Sequence, residues 1–164
     1  MQVDVLAGDL VELRPWRVED ASWYVEARDP SIYRWTTEDP ELTIEAAARA
    51  ISGIAENESV AACAIWSDEL GLVGNIAVEI DVDGRVGEVS YFLGAAARGR
   101  GFATEAVELA CAWVLAQEFV DSIRAEVAHG NRPSERVLER AGFTRVGEAE
   151  HPTLGPSSVW QRGD

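Results

Sequence analysis

The chain contains no lysine; its fourteen basic residues are all arginine. A nucleotide P-loop needs a lysine followed by serine or threonine, so that kind of phosphate site is excluded. Cysteine is scarce as well. Cys63 and Cys111 lie in the apolar stretches AACAI and ELACAW, at no metal-ligand spacing, and read as reduced core thiols rather than a disulfide. His129 and His151 are isolated and read as loop or polar-contact residues. No metal site and no serine–histidine–acid order is expected. No apolar run approaches the length of a membrane span. The opening Met1-Gln-Val-Asp lacks a basic start and an apolar stretch, so a cytoplasmic location is the default expectation.

Positive charge is in the minority: 29 acidic residues against 14 basic ones give a net charge of -15. Such a chain repels nucleic-acid backbones and anionic membranes, and neither is expected as a partner. Cationic partners such as amines, polyamines or basic protein tails are attracted. Solubility alone would also account for the acidity.

What is present fits one domain spanning 1–164, with 47% hydrophobic and 26% charged residues and no repeat or linker. Residues 10–14 alternate as a half-buried strand that Pro15 ends. Helical spacing runs from Val18 to Arg28, a loop with a short helix covers 30–40, and Thr43 is placed to cap a helix over IEAAARAISGIAE. The period then changes. Ser59–Trp66, Gly71–Asp81 and Gly87–Leu93 read as strands, with Asp83-Gly84 as a hairpin turn between the last two. Thr104–Leu115 reads as an amphipathic helix, 122–127 as a strand, Pro133–Ala141 as a helix stopped by Gly142, and 143–149 and 157–162 as closing strands. The sum is a mixed α/β domain, its sheet mostly antiparallel and flanked by helices.

One segment carries chemistry. GEVSYFLGAAARGRGFATEAVELACAWV sets a strand, a glycine-rich loop and a helix in succession. Glycines admit close approach of backbone to an anion, and a helix start offers unpaired N–H groups. A diphosphate is the natural guest, with Arg98 and Arg100 as a basic island. A dinucleotide fingerprint fits poorly, because Thr104 stands where its third glycine belongs and the loop follows a meander of antiparallel strands.

Arg98-Gly-Arg-Gly101-Phe-Ala103 resembles the pyrophosphate motif, Arg/Gln-x-x-Gly-x-Gly/Ala, of the GCN5-related N-acetyltransferases (GNAT). LVELRPWRVEDA and GEVSYFL resemble the opening and central strand of the RimJ/RimL-type branch, which acetylates ribosomal-protein N-termini. Asn131-Arg-Pro-Ser134 with Val137-Leu-Glu-Arg-Ala-Gly-Phe143 is similar to that branch's C-terminal signature. The likeness covers nearly the whole chain.

The resemblance implies the GNAT acyl-CoA N-acyltransferase fold and transfer of acetyl from acetyl-CoA to a primary amine, either a protein N-terminus or a small molecule. Backbone N–H groups of Arg98, Gly99, Arg100, Gly101, Phe102, Ala103 and Thr104 would hold the pyrophosphate. Phe92 and Leu93 lie on the strand expected to splay from 122–127 and pair with the pantetheine arm, and the N–H groups from Phe92 to Gly94 would polarise the thioester. Asn131 would bond the cofactor; it could equally serve a turn. Glu88 would be the base, and Ser134 the acid toward the thiolate, since Leu138 stands where many relatives have a tyrosine. An exposed strand glutamate and a helix-packing serine are the ordinary alternatives for these two. Tyr91 reads chiefly as a core residue, with a place on the acceptor side as the other option. The acceptor wall is expected from Trp16–Tyr33, 30–40 and 150–158. A homodimer is compatible with the exposed strand edges. The alternative function is a catalytically silent CoA-binding or regulatory module of the same fold.

Overall fold

The computed structural model describes residue 1 and residues 3–163. Eight strands form one sheet: β1 (Leu6–Ala7), β2 (Glu12–Pro15), β3 (Val60–Ser67), β4 (Gly71–Asp81), β5 (Val86–Leu93), β6 (Ser122–Ala128), β7 (Thr144–His151) and β8 (Gly155–Gly163). Their spatial order is β1-β2-β3-β4-β5-β6-β8-β7, and every neighbouring pair is antiparallel except β5–β6. The helices are α1 (Ala21–Glu26), α2 (Pro30–Trp35), α3 (Ile44–Gly53), α4 (Phe102–Leu115) and α5 (Arg132–Arg140). The mixed, mostly antiparallel sheet flanked by helices is the expected architecture.

The core lies between the sheet and α4. Phe102, Ala106, Val107, Ala110, Cys111 and Val114 form the buried stripe of that helix, three to four residues apart. They meet Val78, Val89 and Ile123 from the sheet and Leu138 from α5. Burying a side chain such as Leu138 contributes about 2 kcal/mol. Cys63 and Cys111 are buried and unbonded, and burial pushes both thiols up to about 12.

Local signals decide most element ends. Thr43 Oγ1 accepts the Ala46 amide at 3.2 Å and caps α3. Gly142, at φ +82°, closes α5, and the Phe143 amide returns to the Leu138 carbonyl at 2.9 Å. Other details differ from expectation. Pro15 belongs to β2 instead of ending it before, because β1 is too short to need an N–H at that position. The helical stretch from Val18 breaks into one 3-10 turn and the six-residue α1. In the β4–β5 turn the left-handed residue is Arg85 (φ +54°), not Gly84. The Arg85 guanidinium is held there by Asp121 at 2.6 Å and by the Glu118 carbonyl at 2.7 Å.

Two features of the sheet position the site. Pairing of β5 with β6 runs only through Val86–Ser122, Gly87–Ile123 and Glu88–Arg124, then stops. Beyond Glu88 the two strands part, while β6 stays paired with β8 through Ala128. On the other flank, a bulge in β4 opposite Ile65/Trp66 bends the sheet where β5 ends.

Candidate active site

The parting of β5 and β6 opens a cavity of about 510 Å³. Its walls come from β5 (Glu88–Leu93), β6 (Ala125–Val127), the loop at Arg98 and Gly99, and the first turns of α4 and α5. Residues 31–38 and the β7–β8 turn close the opposite side. A strand edge facing a cavity leaves backbone groups that an extended polar ligand can pair with.

At one end of this cleft the loop before α4 is a row of free amides. The Arg98 amide, expected among the ligand-facing ones, is turned to the Ala95 carbonyl at 3.5 Å, and the next N–H with a backbone acceptor is that of Glu105, bonded to the Gly101 carbonyl at 3.2 Å. The amides of Gly99, Arg100, Gly101, Phe102, Ala103 and Thr104 have no acceptor among the described residues. Gly99 at φ +76° and Gly101 at φ +86° supply the left-handed turns that face them one way, ahead of the positive end of α4. This arrangement suits a diphosphate. The arginines act differently from expectation. Arg98 makes a two-pronged pair with Asp29, at 2.9 and 3.0 Å, and also donates to the Leu93 carbonyl at 3.1 Å. Arg100 is paired with Glu69 at 3.0 Å. The side chains brace the loop, and the backbone amides are the groups left free. Asp29, which also caps α2 through the Ile32 amide at 3.0 Å, is held below the usual carboxylate range, chiefly by the Arg98 hydrogen bond.

The opposite face of β5 is acidic. Side chains alternate along the strand, so Glu88, Ser90 and Phe92 point away from α4 whereas Val89, Tyr91 and Leu93 point toward it. Glu88 stands in register with Glu79 on β4, and Glu126 lies on the same face of β6. Glu88 is exposed on the cleft wall; partial burial there raises its pKa, and the charges of Glu126 and Glu79 raise it further against a smaller lowering by His151. Glu126 Oε2 is buried without a hydrogen-bond partner among the described residues. His151 Nδ1 accepts the amides of Thr153 and Leu154, both at 3.1 Å, which leaves Nε2 as the protonated nitrogen. Glu38 completes the rim and is anchored by the Tyr24 hydroxyl at 2.8 Å and by Arg28 at 3.1 Å.

On the α4 side, the Tyr91 hydroxyl lies 2.8 Å from Ser134 Oγ. Tyr91 is thus on the face opposite Glu88, not on the acidic side. Asn131 caps α5, its Oδ1 accepting the Ser134 amide at 3.4 Å. Leu138 is fully buried and offers no chemistry.

The family model described as acetyltransferase (GNAT) domain matches residues 11–144. The chain belongs to the GNAT acetyltransferase family. No curated protein matches it in sequence. Solved GNAT-fold structures do match. The microcin C7 self-immunity acetyltransferase MccE, in complex with acetyl-CoA and AMP, superposes with a TM-score of 0.84 at 16% identity, covering 96% of this chain and 94% of that one. The aminoglycoside acetyltransferase AAC(6')-Ib with coenzyme A gives 0.79 at 20%, covering 93% and 94%. Mycobacterium smegmatis RimJ with CoA-disulfide gives 0.80 at 21%, covering 97% and 84%. At these identities the likeness concerns the fold.

Of the residues singled out in this GNAT chain, Glu88, Ser134, Phe92, Leu93, Arg98, Gly99, Ala103 and Asn131 line one cavity. Arg100, Gly101, Phe102 and Thr104 lie outside its lining, and the Phe102 ring is packed in the core. From the expected acceptor wall, Ser31, Ile32, residues 35–38, His151 and Leu154 do line it. Trp16 and Trp23 stand behind, in an aromatic chain that runs through Tyr24 to Phe92, and Trp16 Nε1 donates to Asn75 Oδ1 at 3.1 Å. Sequence reasoning missed Glu126, and it placed Glu38 and His151 only within acceptor-wall segments, with no role of their own. An isolated acid on a strand or a loop carries no signal of what it faces.

Proposed function

We propose that the protein transfers an acetyl group from acetyl-CoA to a primary amine carried by a cationic acceptor. The observation that carries this reading is the cleft where β5 leaves β6, opening onto the unpartnered amides of Gly99–Thr104. A diphosphate fits the amide row and an extended amide-bearing arm fits the strand edges, which is the shape of coenzyme A. Bound acetyl-CoA or CoA in the MccE and AAC(6')-Ib structures supports the same choice of donor.

In this mechanism the cofactor supplies the acetyl thioester, and the chain's own groups hold and move protons around it. Of the expected polarising amides, Gly94 already donates to the Val73 carbonyl at 2.9 Å and strand alternation turns the Phe92 amide toward β4, so the Leu93 N–H is the one left to polarise the carbonyl. Glu88, its proton affinity raised by partial burial and by neighbouring carboxylates, takes the ammonium proton so that a neutral amine can attack. Ser134, at the start of α5, faces the departing sulfur. The acidic rim of Glu38, Glu88 and Glu126 favours an acceptor bearing positive charge. A ribosomal-protein N-terminus, as suggested by the resemblance to the RimJ/RimL-type branch and the likeness to RimJ, and a small polyamine both meet that description. Cytoplasmic location and a single domain over 1–164 belong to the same proposal.

The decisive experiment is an acceptor screen with acetyl-CoA, following thiol release over peptides with free N-termini, aminoglycosides and polyamines. Turnover with cationic amines is expected. Tight CoA binding with no acetylation of any amine would instead establish the silent-module alternative.

A further inference from the structure

The Tyr91–Ser134 contact bridges β5 and α5 across the mouth of the cleft. Ser134 Oγ has no other partner among the described residues, and the Tyr91 hydroxyl otherwise reaches only the Ser134 carbonyl, at 3.4 Å. A carbonyl can only accept, and 2.8 Å is the ordinary length of a strong O–H···O bond. Either hydroxyl can donate across the contact; once a thiolate in the cleft takes the Ser134 proton, Oγ is left as the acceptor and the phenol as its donor. Leu138, one turn further along α5, is fully buried and cannot supply a hydroxyl.

We propose that Tyr91 is the proton source for the departing thiolate, acting through Ser134, so that this chain takes its phenol from strand β5. The proposal rests on the acetyl-CoA reading. Serine alone is a poor acid, because an alkoxide is far more basic than a thiolate, whose ordinary pKa is about 8.5. Burial pushes Tyr91 up to about 12, so it stays protonated at neutral pH and remains a stronger acid than serine. The step balances as follows. The amine nitrogen bonds to the acetyl carbon, and the C–S bond breaks with its electron pair passing to sulfur. Sulfur takes the Ser134 Oγ proton while Oγ takes the Tyr91 proton, and the tyrosinate recovers a proton from solvent. The surplus amine proton leaves on the Glu88 side. Tyr91 touches no reacting atom and is a positioning residue.

The test needs no acceptor. The thiol of CoA bound to the full chain is titrated by the ultraviolet absorbance of its thiolate in wild type, Tyr91→Phe, Ser134→Ala and the double variant. Phenylalanine keeps the ring packed. A donated hydrogen bond stabilises the thiolate, so each single variant is expected to raise the bound thiol pKa by about one unit, and the double no more than either. With an acceptor from the amine screen, Tyr91→Phe should lower kcat about tenfold with unchanged KM for acetyl-CoA. A Tyr91→Phe thiol that titrates like wild type while Ser134→Ala shifts it would overturn the relay and leave the acetyl-CoA reading standing. No calorimetric binding of CoA to wild type would overturn both.

Discussion

On the acetyl-transfer reading, the two ends of the cleft would recognise their ligands by different means. At the α4 end the ligand-facing groups are backbone amides of Gly99–Thr104, and the side chains of Arg98 and Arg100 are spent on Asp29 and Glu69. At the acceptor end the facing groups are carboxylates, Glu38, Glu88 and Glu126, set by strand register and by a loop. Backbone recognition depends on φ and ψ, so it is fragile at its glycines and tolerant elsewhere. Recognition by carboxylates depends on charge and burial, so it is fragile to pH and salt.

Gly101→Glu should break the first end most severely. A side chain there must hold φ near +86° and meets Leu10 Cδ1 at 3.3 Å, and the new charge opposes a diphosphate. CoA affinity should fall by about 10²-fold or more in calorimetry, equivalent to losing about 3 kcal/mol of charge-assisted bonds. Wild-type affinity would place the pyrophosphate elsewhere. At the other end, Glu88→Gln should lower kcat/KM by about 10²-fold with little change in CoA affinity. The base works as a carboxylate and its pKa is raised, so wild-type activity should fall as pH drops through a value above the ordinary glutamate range. The variant should lack that limb; an acid limb unchanged in Glu88→Gln would assign the base to another group.

The same contrast governs what the sequence discloses. The loop was legible because glycines, a helix start and the strand before it are local signals, and Thr43 and Gly142 were legible as helix ends for the same reason. The parallel pairing of β5 with β6, its stop after Glu88–Arg124, and the bulge in β4 are properties of register between distant segments. So is the meeting of Tyr91 with Ser134. Nothing near Arg98 announces that its partner is Asp29, three strands earlier in the chain. Chemical type is written locally, while facing is decided by topology.

Glu126→Gln probes the acceptor end more gently. Its buried Oε2 has no protein partner among the described residues, so a cationic acceptor is its natural one. KM for a dication should rise about tenfold at low salt, and less at high salt, with CoA affinity unchanged. Equal effects on neutral and cationic acceptors would remove Glu126 from charge recognition.

Asp29→Ala should give the smallest effect, and it touches both ends, because Asp29 caps α2 beside the acceptor wall and clamps Arg98 in the loop. Loss of the cap costs about 1 kcal/mol, and the loosened loop should weaken CoA binding a few-fold. Asp29 has a lowered folded-state pKa, so its stabilisation is present above the unfolded value of about 3.9 and disappears as pH falls through the folded one. The melting-temperature gap between wild type and Asp29→Ala should therefore be constant near neutral pH and shrink below about pH 4. A gap that persists in acid would mean that the ion pair contributes nothing, and that the aspartate acts only by its shape at the start of α2.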